Sequence, residues 1–206
     1  MQANKLKSNI YIVVFLAVLV VFQHISHVLE YNSIWFILPF SITVLVFTII
    51  YFIQLTNNLK NYLAIENIKF QTYTIIGSYV FIYLITNLIL SDKGTLSHSN
   101  FKYKDVIIGI VVMIFVATSI FLIVQYCVLG YKLIKKNTTS NVKKLGFSFF
   151  IIIPIGMLLM TILATSKNYK IYGHFLTIAE ISPYWLTYKL YKEILSNKEI
   201  TPLETN

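Results

Sequence analysis

The chain contains no arginine; all 17 of its basic residues are lysine. Arginine's planar fork is the preferred grip on phosphate or carboxylate, so its absence weighs against phosphate chemistry. Charge of either sign is scarce. Charged residues make up 12% of the 206 positions, where a soluble globular domain carries about 25%. That deficit excludes a disordered protein, a basic nucleic-acid-binding domain and an ordinary cytosolic enzyme. There is one cysteine, Cys127, which allows neither an internal disulfide nor a multi-cysteine zinc site. It reads as a small apolar core residue. No G-x-x-x-G occurs in any apolar stretch, so the close-approach dimer motif is missing and generic packing by Ile, Leu, Val and Phe is expected.

Catalytic signatures are missing as well. There is no H-E-x-x-H, no G-x-S-x-G, no P-loop and no dinucleotide fingerprint. Glutamate-based membrane proteases show paired acids with arginine nearby, and the chain has neither. No cofactor is expected, and the protein reads as non-enzymatic.

What is present is apolar. Hydrophobic residues form 57% of the chain and gather in runs of roughly twenty, the length that spans a bilayer as a helix. Six segments stand out, at about 10–30, 33–55, 71–90, 106–129, 146–165 and 171–190. The fold expected is all-α: a single polytopic transmembrane bundle of about six helices. The sixth segment carries His174, Glu180, Pro183 and Lys189. It reads as a span, with a helix lying in the interface, and five spans in all, as the alternative. Lys5 and Lys7 before the first apolar run resemble a secretory signal, but no A-x-A site follows. That segment is expected to be an uncleaved first span.

Lysine placement sets orientation, because positive loops stay cytoplasmic. With six spans and the N-terminus inside, twelve lysines fall inside and five outside, so both termini are expected inside. Abundant Ile, Asn, Lys, Tyr and Phe point to AT-rich codons and the cytoplasmic membrane of a low-GC bacterium. Tyr31, Trp35, Tyr51, Tyr73, Tyr103, Tyr131, Tyr169, Tyr172 and Tyr184 to Tyr191 lie near the expected ends of spans, where aromatic rings favour the headgroup level. Pro39, Pro154 and Pro183 lie inside spans, where each removes a backbone donor.

Ionisable residues inside a membrane are functional candidates. His24, His27 and Glu30 step by three along the first helix, so neighbours share a face. At 1.5 Å per residue His24 lies on the order of 9 Å below the outer end. On the sixth helix His174 falls near the outer surface and Glu180 about mid-membrane. Contact between these two helices would gather a His/Glu cluster suited to a metal or to protons. Polar residues at a helix end are the plainer explanation. Cys127 falls at the inner side, so a cysteine–histidine peptidase pair is not expected. Lys132, Lys135, Lys136, Lys143 and Lys144 form a basic loop at 131–145, readable as an anionic-lipid surface or as the ordinary topology signal.

Two functions follow. The first is a membrane protein acting by binding a partner, such as another membrane protein or a secreted peptide or toxin, of immunity or export-accessory type. The second is a transport component for a small solute, metal or proton. The second expects a polar cavity reaching the midplane near Glu180; the first expects none. The partners expected are the lipid bilayer and, on the first reading, another membrane protein or a secreted peptide or toxin; no nucleic acid is expected.

Overall fold

The structure, a computed structural model, describes residues 2–28, 34–65, 67–95, 104–136, 139–163 and 169–200. Its side chains are described over 4–25, 39–85, 109–159 and 177–197, save residues 5, 24, 66, 137 and 138. The elements are α1 (Gln2–Val28), α2 (Ile34–Leu63), α3 (Lys69–Thr95), α4 (Lys104–Lys136), α5 (Ser140–Phe147), a π-helical turn (Ser148–Ile152), α6 (Ile153–Leu163) and α7 (Tyr169–Ile200). No strand occurs among the described residues. The segment from α5 through the π turn to α6 is one continuous rod, so six rods build an all-α bundle.

Among the described residues four rods are long and apolar enough to cross a bilayer, Leu6–Gln23, Pro39–Leu63, Gly109–Lys136 and Ser140–Leu159; α3 and α7, expected as the third and sixth spans, are not among them. The distribution of side chains agrees with membrane insertion. Val18, Ile42, Val46, Leu84, Met113 and Ile155 face outward, while Asn9, Thr56, Asn58, Gln71, Thr72 and Thr187 are buried. A water-soluble bundle shows the reverse, because contiguous exposed apolar surface beyond a few hundred Å² is unusual in a soluble monomer. In lipid, every backbone group must be bonded within the chain, and a helix does this regardless of which residues face out.

Chain order is also spatial order. Each rod packs on its sequence neighbours, and α7 closes the ring by an extensive contact with α1. Hydrogen bonds fix the directions. Gln71 and Tyr79 of α3 meet Lys132 and Tyr126 of α4 respectively, so these rods are antiparallel. Asn141 and Ser148 meet Glu193 and Ser182, so α5 and α7 are antiparallel too. Across the ring, Thr48 and Tyr51 of α2 meet Tyr184 and Thr187 of α7, so these two are parallel, as alternate rods of an up–down bundle must be.

The helices outrun the apolar segments. The second was expected to end near 55 and the basic stretch 131–145 to be a loop. Instead α2 continues to Leu63, Lys132, Lys135 and Lys136 lie on the last turns of α4, and Lys143 and Lys144 lie on α5. Polar residues lower hydropathy without breaking a helix, so the end of a greasy run marks membrane depth rather than the end of a rod.

Where helices end, the reasons are local. At the end of α2, Ile65 N–H bonds Leu59 C=O and Ala64 N–H bonds Lys60 C=O, each at 3.1 Å. This is a Schellman stop, and the apolar contact that accompanies it is Ile65 on Leu59, both buried. Its hinge residue, Ala64, has φ of 51°, a left-handed conformation that costs a residue with a Cβ roughly 1–2 kcal/mol. Ala64→Gly should therefore stabilise the protein by about 0.5–1 kcal/mol after the unfolded-state entropy of glycine is counted. A fall in thermal midpoint would contradict this account of the turn. At the start of α5, the Thr139 hydroxyl accepts the Val142 N–H at 3.3 Å, an N-cap that satisfies one orphan donor.

Packing is not generic at one place. A Cβ on Gly130 of α4 would lie 2.5 Å from the Gly146 carbonyl oxygen and 2.5 Å from the Phe150 amide nitrogen. The two glycines bring α4 and α5 into backbone contact within one chain. They are sixteen positions apart, so a search for small residues within one helix passes over them.

Candidate functional site

The centre of the ring is aromatic. Tyr51 and Phe52 come from α2, Tyr79 from α3, Tyr126 from α4, Phe149 from the π turn and Tyr184 from α7. Tyr51 lies edge-on to Tyr184 at 4.9 Å, and Tyr126 stacks on Phe149 at 5.8 Å between centroids. The phenols are paired as buried polar groups must be. Tyr126 donates to the Tyr79 oxygen at 3.0 Å, Tyr51 meets the Thr187 hydroxyl at 2.9 Å, and Tyr184 meets Thr48.

A cavity of about 180 Å³ opens inside this cluster. Glu180 and Pro183 of α7, Val20 and Gln23 of α1, and Val44 and Thr48 of α2 complete its wall. Its depth can be counted along several rods at 1.5 Å per residue. Tyr79 lies about 15 Å from the start of α3, Tyr126 about 15 Å from the end of α4, Tyr51 about 18 Å from the end of α2 and Glu180 about 18 Å from Lys192. All four counts start from the lysine-rich end, so the cavity lies about 15–18 Å inside it, roughly half of the 30 Å that a hydrocarbon core measures.

Two prolines shape this level, and the backbone they disturb is repaired by named side chains. Pro183 cannot donate to Ala179 C=O; the Ser182 hydroxyl takes that carbonyl at 2.9 Å. With its proton used, Ser182 accepts from Ser148 at 2.5 Å, which ties α7 to the π turn. Pro154 cannot donate to Phe150 C=O and its ring crowds that carbonyl. The extra residue of the π turn moves it aside, with Ile153 N–H bonding Ser148 C=O instead. The Cys127 thiol of α4 then donates to Phe150 C=O at 3.7 Å. π turns inside α-helices are frequent at functional sites, and this one delivers Phe149 to the cavity wall.

Of the residues singled out from sequence, Glu180 is placed in the cavity. α1 and α7 do pack together, which is the condition set for the His/Glu cluster. His24 follows a cavity residue on α1, and His174 precedes Glu180 by six residues on α7. The side chains of His24, His27 and His174 lie outside the described residues, as does Glu30 entirely. Among the described residues no group of three or more His, Cys, Asp or Glu is arranged to hold a metal, and no charged group acts on Glu180.

The five basic residues lie on two helices and differ in their contacts. Lys132 donates to Asn67 C=O at 2.7 Å and to Gln71 Oε1 at 2.8 Å, and Lys136 reaches Ala64 C=O at 3.5 Å. They clamp the α2–α3 connection onto α4. With Lys135 they line a groove beside Ile65, Asn67 and Ile68. Lys143 and Lys144 sit exposed on α5.

Sequence reasoning missed the tyrosines. Tyr51 and Tyr184 were expected near the ends of spans, and they are buried at the centre of the bundle; Tyr191, beside Lys192, is buried between helices too. Tyr73, Tyr131 and Trp185 are exposed, in keeping with an interfacial place; Lys189 lies over the Trp185 ring at 5.1 Å. Tyr31, Trp35, Tyr103, Tyr169 and Tyr172 lie outside the residues whose side chains are described. The missed signal was the run of mid-helix tyrosines on successive rods.

No protein-family model matches the chain, and no curated protein and no solved structure matches it either.

Proposed function

We propose that this chain is a small, non-enzymatic, multi-pass membrane protein that binds a small solute in its central cavity and serves as a transport component. We propose further that it lies in a bacterial cytoplasmic membrane with its lysine-rich end, and so its N-terminus, inside. The single observation that supports the solute reading is the central cavity lined by Glu180. An acidic group with no ionic partner among the described residues is expensive at that depth, and such groups mark substrate or ion pathways. The partner-binding reading expects no such cavity. It expects contact with a partner on the segment 91–105, whose side chains lie outside the described residues, or within the bundle.

The test is thermal unfolding of the detergent-purified chain against a panel of small anionic, neutral and cationic solutes. A ligand at one hundred times its Kd adds about 2.7 kcal/mol, which for a chain of this size raises the midpoint by about 5–10 °C. The reading expects one class to do so, and expects the shift to vanish in Thr48→Trp, whose indole fills the cavity. Stabilisation by no class, or a shift unaffected by Thr48→Trp, would contradict it.

A further inference from the structure

Resting on that reading, we infer that the solute is a small organic monocation of the alkylammonium type, held by the Glu180 carboxylate inside an aromatic cage. The sign of the charge comes first. Thirteen of the described residues line the wall; among them Glu180 carries the one formal charge, and no described lysine reaches it. An anion would meet a carboxylate with nothing to offset the repulsion.

The kind of cation follows from the rest of the lining. Six of the thirteen residues are aromatic, and ring faces attract a desolvated cation through their quadrupole, most usefully one that hydrates weakly. A calcium ion needs six to eight oxygen ligands. Here the Tyr51, Tyr79, Tyr126 and Tyr184 hydroxyls are already engaged with one another or with Thr187 and Thr48. A carboxylate among aromatic rings is a poor shell for a hard inorganic ion and a good one for an ammonium wrapped in methyl groups.

Size sets the last limit. A cavity of about 150 Å³ in another protein holds benzene, so about 180 Å³ admits a molecule of roughly six to eight non-hydrogen atoms. Choline fits this description, and 3,3-dimethylbutan-1-ol is its uncharged isostere.

The experiment is calorimetric titration of the detergent-purified full chain with each of the two. Choline should bind at least tenfold tighter than the isostere. In Glu180→Gln choline should lose at least tenfold while the isostere is unchanged. Equal binding of the two by the wild-type chain, which needs no variant, overturns the cation assignment, and so does a preference that survives Glu180→Gln. If choline fails while a neutral or anionic solute gives a Thr48→Trp-sensitive thermal shift, the cation is wrong and the solute cavity stands. If no solute of any class gives such a shift, both fall together.

Discussion

Glu180→Leu should make this protein more stable and abolish solute binding. Leucine has nearly the volume of glutamate, and it carries no polar atoms into the interior. A polar or charged group at the centre of a membrane helix costs about 2.5–3.5 kcal/mol on the insertion scale, and protein contacts recover part of that. A gain of about 1–3 kcal/mol is therefore expected, read as a thermal midpoint higher by several degrees. A carboxylate kept for structure behaves oppositely, because its removal strands partners that were bonded to it. None of the described residues bonds to the Glu180 carboxylate, so there is nothing to strand. A stabilised variant that no longer responds to solute is the pattern of a residue retained for function at a cost in stability. A destabilised Glu180→Leu would instead make the residue a structural bridge.

The second large effect is at the α4–α5 contact. Gly130→Ala should destabilise the chain by about 2–3 kcal/mol, a fall of roughly 5–10 °C in thermal midpoint. The added methyl would meet backbone atoms of Gly146 and Phe150 at 2.5 Å, and backbone cannot swing aside as a side chain can. The two rods must separate, which disturbs the π turn and with it Phe149 in the cavity wall. Gly77→Ala is the control. Nothing lies within 4 Å of a Cβ there, so alanine should be neutral or gain up to about 1 kcal/mol from helix propensity. Equal effects at the two glycines would mean that close approach does not govern this interface.

The legible part of the fold was its apolar skeleton. The spans near 10–30, 33–55, 106–129 and 146–165 correspond to the four rods apolar enough to cross a bilayer, because lipid-facing residues must be greasy all along a rod. Their lengths were misjudged where the bundle interior is polar. Thr56, Asn58, Gln71 and Thr72 depress hydropathy across 56–72, yet all four are buried between helices. Thr72 donates to Ile68 C=O, so Thr56 donates to Thr72 at 2.9 Å and joins α2 to α3. Hydropathy registers what a residue prefers outside the chain, and it cannot register a partner supplied by another helix.

The site was legible at one residue. Glu180 stood out because acid is rare in an apolar segment. Tyr51 and Tyr184 were read as interfacial since a phenol joins an apolar ring to a polar tip. The same chemistry serves equally well inside a bundle when Thr187 or Thr48 meets the hydroxyl. Periodicity along one helix does not tell these places apart; the pairing across α2 and α7 does. The repair of the proline gaps by Ser182 and Cys127 was hidden for a related reason. In sequence Pro154 shows only a lost donor, and the thiol that answers it lies 23 positions from Phe150 on another rod.

The most direct test compares two positions on one helix at nearly one depth. Thr48 is buried and lines the cavity, while Val46 is 45% exposed on the outer face. Each is replaced by cysteine in a Cys127→Ala background, in membranes, and treated with a small water-soluble cationic thiosulfonate. Thiols react as thiolates, which form where water reaches and not in lipid. The account predicts labelling of Thr48→Cys, slowed by bound solute, and no labelling of Val46→Cys. A bundle standing in water with a closed core would give the opposite order, and that result would contradict both the membrane placement and the cavity.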